Sequence, residues 1–455
     1  MTDPASPGTQ RLATELRRRL GALPQLRDLP SVSIVVLSRD GADQLRTLLS
    51  GLVHRTDYQP FELVLVDNGS SDDSLAMLRE ADTPFPVSTI ENRDNATFSD
   101  GCNQGAAVAS GELLLFLNND IEPFEAGWLH ELVACFERSR AGLVGATLLQ
   151  RDDTRRFSHG LSVQQRGTLI EDDAGVLRSA YRDQGVDPLG EGLGVDVESV
   201  AVSGACCMIA RETFDAIGGF TPGYRYGGED TDLALKVRAA GDRVLCSGRA
   251  FAIHPAGVTL GTVAAETRRA WTAVNRRLLT ERWGPRAWRE YELDRLTGGG
   301  VWTTPSDSPH DGATLDAALA VSFCLMAEGD WATGPLGGIV DGLRAELVSR
   351  RHRCLSLAGP GVDEPESLTY DVVVHAGADA PHVVNPSQFN VLWSTGGPEG
   401  ASVEACGCDM VFAAAPEPHG VDTLAERLID ATLSRMAEIE FPTRIPSEYT
   451  TKPRR

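Results

Sequence analysis

ASGELLLFLNNDIEP, residues 109–123, is the stretch on which the reading of the fold turns. The apolar run at 113–117 has the unbroken hydrophobicity of a strand covered on both faces. It stops at Asn118-Asn119-Asp120, whose side chains offer only oxygens and amides. Such residues favour turns. They also suit the mouth of a site, where a strand end holds a carboxylate for a metal ion. The triplet alone fits both.

Working outward, strand and helix patterns alternate, which predicts a Rossmann-like α/β domain. SVSIVVLS (31–38) is a strand, GADQLRTLLSGLVH (41–54) a helix and FELVLVD (61–67) a strand, with a further helix starting near Ser71. FSDGCNQGAAVAS (98–110) predicts a helix whose small residues let it lie close to a sheet. A helix over 124–138 and a strand over 141–149 follow, then a polar hairpin-and-loop region over 150–197. Strands at 200–210 and 243–257 flank helices at 211–220 and 230–240, and 263–295 is helical. The expected organisation is an N-terminal basic helix and linker (1–30), a large α/β domain (31–295), a linker (296–312), a smaller Rossmann-like α/β domain (313–437) and a disordered tail (438–455). Strands of the second domain are expected near 317–326, 371–376, 390–394 and 409–414.

Composition excludes several classes. The 455 residues carry a formal charge of −22, which argues against a nucleic-acid partner. No apolar run approaches the ~18–20 residues of a membrane span. The first residues lack the apolar core of a signal peptide, so a cytoplasmic location is expected. The nine cysteines lack zinc-site spacing and read as small buried hydrophobes.

Three acidic stretches fall where α/β sheets bind ligands, at carboxyl edges of strands and at helix starts. VDNGSSDDS places Asp67 at a strand end, where a carboxylate can accept from a ribose hydroxyl or a base N–H. Asp120 can hold a hard divalent cation bridging two phosphates, with Asn119 beside it. GYRYGGEDTDLALKV crowds Glu229, Asp230 and Asp232 at a helix start, where the dipole favours acids. Helix capping accounts for Asp232, whereas the preceding Gly-rich, two-tyrosine segment has the look of a binding loop. His254, just past a strand, can complete a mixed oxygen and nitrogen site suited to Mn²⁺.

The order of these pieces resembles a family 2 glycosyltransferase of the GT-A fold. It is carried by VDNGSSD, NRDNATFSDGCNQG, LFLNND, VSGACCMIAR, IGGFTPGYRYGGEDTDLALKVRAAG and AFAIHPAGVT, and it extends to AVNRRLLTERWG (273–284). The resemblance implies inverting transfer from a nucleotide-diphosphate sugar (UDP-, dTDP- or GDP-linked) with Mn²⁺ or Mg²⁺. Carried over, Asp67 is the nucleoside-binding acid with Ser38 beside it. Asn95, Gly101 and Asn103 lie in the stretch lining the donor. Asn118-Asn119-Asp120 stands for the DxD motif, with Asn first as in many rhamnosyl- and O-antigen-type members. Asp120 and His254 are then the metal ligands, Asp230 the general base, and Glu229 a contact to the acceptor or a support of the loop. The acceptor implied is a glycan, a lipid-linked molecule or a small molecule, in cell-surface polysaccharide or glycoconjugate synthesis.

YDVVVHAG, NVLWSTGGPEG and CDMVFAAAPEP of the second domain are faintly similar to the N-terminal half of a GT-B glycosyltransferase, which implies an acceptor-binding or assembly module. His375, His382 and His419 read as scattered loop histidines. Two rival functions share the layout: a non-catalytic sugar-nucleotide binder or scaffold, and a sugar nucleotidyltransferase, which would want a basic Gly-rich loop where VLSRDGADQL stands. The arginines of 11–27 and of 263–295 could rest on an anionic bilayer as peripheral contacts.

Overall fold

The computed structural model describes residues 7–152, 156–173, 176–255, 264–297, 300–302, 322–327, 337–350, 352, 354–358, 370–377, 388–394, 408–413 and 420–438. The chain forms two compact units, Met1–Glu171 with Ser179–Arg276, and Asp172–Arg178 with Arg277–Arg455. Most of the expected linker and the tail, together with His382 and His419, lie outside the described residues.

The first unit opens with helix α1 (Pro7–Leu20), followed by β1 (Val32–Ser38), α2 (Ala42–His54), β2 (Phe61–Asp67), α3 (Ser74–Glu80) and β3 (Val87–Glu91). Next come α4 (Phe98–Val108), β4 (Leu113–Asn118), the two-residue β5 (Glu122–Pro123), α5 (Trp128–Ser139) and β6 (Leu143–Arg151). The polar region holds β7 (Leu161–Gln165), β8 (Thr168–Asp173), β9 (Val176–Tyr181) and β10 (Val197–Glu198). Then follow β11 (Cys206–Ala210), α6 (Arg211–Ala216), α7 (Glu229–Ala239), β12 (Val244–Ile253) and the long α8 (Ala265–Thr297), whose residues from Arg277 onward count with the second unit.

One ten-stranded sheet runs in the order β10-β12-β6-β11-β4-β1-β2-β3, with β5 paired to β12 and β7 to β6, while β8 and β9 form a separate two-stranded sheet. β1 runs parallel to both β2 and β4, whereas β11 is antiparallel to β4. The central strands are apolar throughout because both faces are covered. Ile34, Val36, Leu63, Leu65, Leu115 and Leu117 enter a core with leucines of α2 and α5. Their neighbours Val35, Val64, Leu114 and Phe116 enter a second core with α4 and α7. Helix α4 is rich in small residues for a steric reason. A Cβ on Gly101 would lie 2.3 Å from Leu37 Cδ1, and one on Gly105 2.4 Å from Val35 Cγ1.

Helix α1 packs on this unit, with Leu12 and Leu16 buried beside Phe124, Leu149 and Phe251. Of the arginines read as candidates for a bilayer, Arg17 binds Glu125 and Glu131 at 2.6 and 2.8 Å, and Arg18 and Arg19 pair with Glu15 of their own helix. Among the described residues no helix is long and apolar enough to cross a membrane. The described cysteines are free, and all are buried except the half-buried Cys354.

The second unit carries β13 (Phe323–Ala327), α9 (Gly337–Ser349), β14 (Cys354–Ala358), β15 (Val372–Gly377), β16 (Phe389–Ser394), β17 (Met410–Ala413) and α10 (Val421–Glu438). Its five strands are all parallel, in the order β14-β13-β15-β16-β17. The α/β expectation therefore holds for both units. His375 corrects the loop reading. It lies buried within β15, where its Nε2 faces Asn390 Oδ1 at 3.4 Å. A polar residue fits that strand because Asn390 of the neighbouring strand answers it.

Candidate active site

The sheet gathers the candidate residues by register. Ser38 is paired with Asp67 across β1 and β2, and Leu37 with Asn118 across β1 and β4. All three strands end at one carboxyl edge, so Ser38, Asp67 and the Asn118-Asn119-Asp120 turn meet there. The antiparallel β11 starts at this same edge, where Asn118 N–H donates to Ala205 O at 3.0 Å.

At one end of the edge, Asp67 is 1 % exposed. Its Oδ2 accepts from Gly69 and Ser70 N–H at 3.1 and 3.0 Å, closing the turn into α3. Its Oδ1 is buried with no hydrogen-bond partner. A buried carboxylate oxygen left unpaired is costly unless a ligand answers it. Two further acids brace the loops on either side. Asp40 Oδ1 accepts from Ser71 N–H at 2.7 Å, and these bonds to Ser71 hold the Asp40 carboxyl below its ordinary range. Asp72 Oδ2 in turn accepts from Ala42 N–H at 2.9 Å. Asn119 Nδ2 donates to Ser38 Oγ at 2.9 Å, in a space where a Cβ on Gly41 would stand 2.6 Å from that amide.

Asn92, Asn95 and Asn103 of the 92–105 motif are held by protein groups. Asn68 donates to Asn95 Oδ1 at 3.2 Å and accepts from Asn92 at 2.9 Å, a chain of amides that fixes the loop before α4. Asn103 exchanges two hydrogen bonds of 2.9 Å with the backbone of Phe220. Gly101 meets Leu37 rather than open space. Asn103 and Gly101 are thus engaged by the fold itself, while Ser38, Asp67 and Asn119 form one connected edge.

Asp120 and His254 meet because β5 pairs antiparallel with the end of β12, Glu122 opposite Ile253. Asp120 Oδ1 lies 3.5 Å from His254 Nε2. Gln164 on β7 sets the imidazole. Its Nε2 donates to His254 O at 3.3 Å, which turns its Oε1 towards His254 Nδ1 at 2.8 Å. Nδ1 therefore carries the proton, and the Nε2 lone pair faces a carboxylate oxygen that has no hydrogen-bond partner. Burial raises the Asp120 carboxyl, against the pull of His254, and lowers the imidazole. Two acceptors face each other with no proton between them, which suits a cation bound through oxygen and nitrogen. The residues present fit such an ion as a two-ligand set. Among the described residues no group of three or more His, Cys, Asp or Glu could hold one.

Asp230 comes to this edge at the start of α7. Its Oδ2 accepts from Gly204 N–H at 3.1 Å and its Oδ1 from Thr231 N–H at 2.7 Å. Burial raises its carboxyl. Glu229 is also pushed up, to about 7, first by burial and then by the charge of Asp230. Its Oε2 accepts from Gly227 N–H at 2.8 Å, so it supports the loop before the helix. Asp232 is structural: Thr221 and Tyr224 hydroxyls donate to it at 2.5 and 3.1 Å.

Sequence reasoning passed over Gln164, Gly41 and Asn275. Gln164 lies in the stretch read as a polar hairpin and loops, and only the fold shows it buried within β7. Asn275 belongs to a quoted motif, yet its action is visible only in three dimensions. It accepts from Arg225 N–H at 2.8 Å and donates to Arg225 O at 2.7 Å.

Residues 31–184 match the family described as Glycosyl transferase family 2. The O-antigen biosynthesis protein RfbC of Myxococcus xanthus is 35 % identical over 234 residues, which cover 50 % of this chain and 18 % of that protein. Human polypeptide N-acetylgalactosaminyltransferase 13 is 25 % identical over 230 residues, covering 48 % of this chain and 41 % of the relative. The chain thus spans less than half the length of these relatives. Among solved structures, GalNAc-T7 with UDP, GalNAc and Mn²⁺ is similar at 20 % identity and a TM-score of 0.42, over 55 % of this chain and 50 % of the other. The edge that collects Ser38, Asp67 and Asp120 lies within residues 31–184, the part of this chain that matches the glycosyl transferase family 2 description.

Proposed function

We propose that the chain transfers a sugar from a nucleotide-diphosphate donor to an acceptor hydroxyl, with inversion at the anomeric carbon. One observation carries the reading. A single sheet edge bears a buried carboxylate oxygen with no hydrogen-bond partner (Asp67), another against an imidazole lone pair (Asp120 and His254), and a carboxyl raised by burial (Asp230).

Asp67 and Ser38 take the nucleoside, and Asn119 positions the donor beside them. Asp120 and His254 hold Mn²⁺ or Mg²⁺, which when bound offsets the negative charge of the departing diphosphate. Asp230 accepts the proton of the acceptor hydroxyl as its oxygen attacks from the face opposite the leaving group. Its two backbone donors, Gly204 and Thr231, keep the carboxylate in place, and its raised affinity for protons makes it a stronger base than an exposed aspartate. Glu229 keeps the adjoining loop closed. The O-antigen relative favours polysaccharide or glycoconjugate synthesis as the setting.

Replacing Asp230 by Asn tests the assignment. The substitution keeps the acceptor oxygen for one backbone donor and removes the base. Transfer should fall by on the order of a thousandfold or more with donor affinity nearly intact. Transfer that survives in Asp230→Asn would remove this residue as the base, and a protein that binds donor but never transfers would be the scaffold instead.

A further inference from the structure

The loop that delivers Asp230 contains a tyrosine in a conformation that suits glycine. Tyr226 has φ +56°, followed by Gly227 at +121° and Gly228 at +89°. A bulky side chain is disfavoured there by contact of its Cβ with the backbone. Glycine in that place would serve the turn better, so the turn does not account for the tyrosine. Positions held against local preference point to use of the side chain.

The surroundings brace it. Trp271 of α8 lies flat against the Tyr226 ring, with centroids 5.6 Å apart and planes 8° from parallel. One turn further along, the buried amide of Asn275 grips both backbone groups of Arg225. Glu229 ties down Gly227 from the other side. Despite this, Tyr226 keeps 50 % of its surface exposed. It is a fixed aromatic ring, open to solvent, four residues before the proposed base.

We propose that Tyr226 is the acceptor platform, and that the acceptor presents a pyranose ring to it. A pyranose has an apolar face of polarised C–H bonds, which suits the negative face of an aromatic ring. Its rim of hydroxyls leaves one free to reach Asp230. Trp271 and Asn275 are positioning residues that hold the platform. The proposal rests on the transfer reading above.

The test uses the full chain with UDP and Mn²⁺, and a panel of methyl pyranosides of the gluco, galacto, manno and rhamno series. Saturation-transfer NMR reads ring contact, and calorimetry on UDP-free protein titrated with UDP-, dTDP- and GDP-sugars in the presence of Mn²⁺ reads donor binding. At least one pyranoside should receive saturation at its C–H face. The signal should disappear in Tyr226→Gly, a change that relieves the backbone, and persist in Tyr226→Phe. With the best pyranoside as acceptor, Tyr226→Gly should raise its KM on the order of tenfold at little change in donor affinity. Normal donor binding with no pyranoside contact, or contact unchanged in Tyr226→Gly, would overturn the platform alone. Failure of the wild type to bind any nucleotide sugar would overturn the transfer reading itself.

Discussion

Asp120 and His254 show how a single residue pair can be legible and yet incomplete in sequence. The apolar run at 113–117 predicts the strand, and its polar end marks the carboxylate. Nothing in the chain predicts that Gln164 fixes the imidazole tautomer, because that contact spans 90 residues. Asn275 is similar: an amide in a helix gives no sign that it holds a backbone 50 residues earlier. Glu229 brings a pH dependence at this scale. Its carboxyl is raised from 4.5 to about 7, so the folded form binds the proton more tightly than the unfolded chain. Its stabilising contribution is whole below pH ~4.5 and is lost as pH rises through about 7. Glu229→Gln keeps an acceptor for Gly227 N–H and removes the titration. Wild type should therefore lose up to about 3 kcal/mol relative to the variant between pH 4.5 and 8. Parallel urea denaturation series at these two pH values check it, and equal losses would show that Glu229 does not titrate near 7.

At the scale of elements, the strands with continuous apolar patterns were read well and the edge strands were not. β3 (VSTIE) is short, lies at the sheet edge and is mostly exposed, so it shows no burial pattern to read. β14 is the corresponding edge of the second sheet. The basic N-terminal helix was legible as amphipathic, but it runs over Pro7–Leu20 rather than to residue 27, and its partners emerged only in the fold. Glu131 of α5 is fully buried and takes Arg17 of α1 at 2.8 Å together with Arg249 of β12 at 2.8 Å. Arg249 also donates to Leu20 O at the end of α1. Removing the shared acid's charge leaves half-buried Arg249 without its carboxylate, while Arg17 keeps Glu125. Glu131→Gln should destabilise the first unit by about 3 kcal/mol. Thermal denaturation measures this, and an unchanged midpoint would show that the network contributes nothing net.

For the whole molecule, the sequence separated two α/β regions because apolar strand patterns resume beyond a Gly- and Pro-rich stretch. Each unit has its own hydrophobic core, one around Leu115 and Trp128, the other around Val374 and Trp393. Scanning calorimetry should resolve two transitions. Donor at 100 times its Kd, with Mn²⁺, should stabilise only the first unit by about 2.7 kcal/mol. An equal shift of both transitions would mean that the second unit takes part in donor binding.

The measurement that bears most directly on the central claim is calorimetric titration with UDP-, dTDP- and GDP-sugars, with and without Mn²⁺, for wild type and Asp120→Ala. The account predicts that one donor binds the wild type tightly, that binding weakens without the ion, and that Asp120→Ala abolishes the dependence on the ion. Binding to no donor by folded protein, or binding equally tight in Asp120→Ala with and without Mn²⁺, would contradict it.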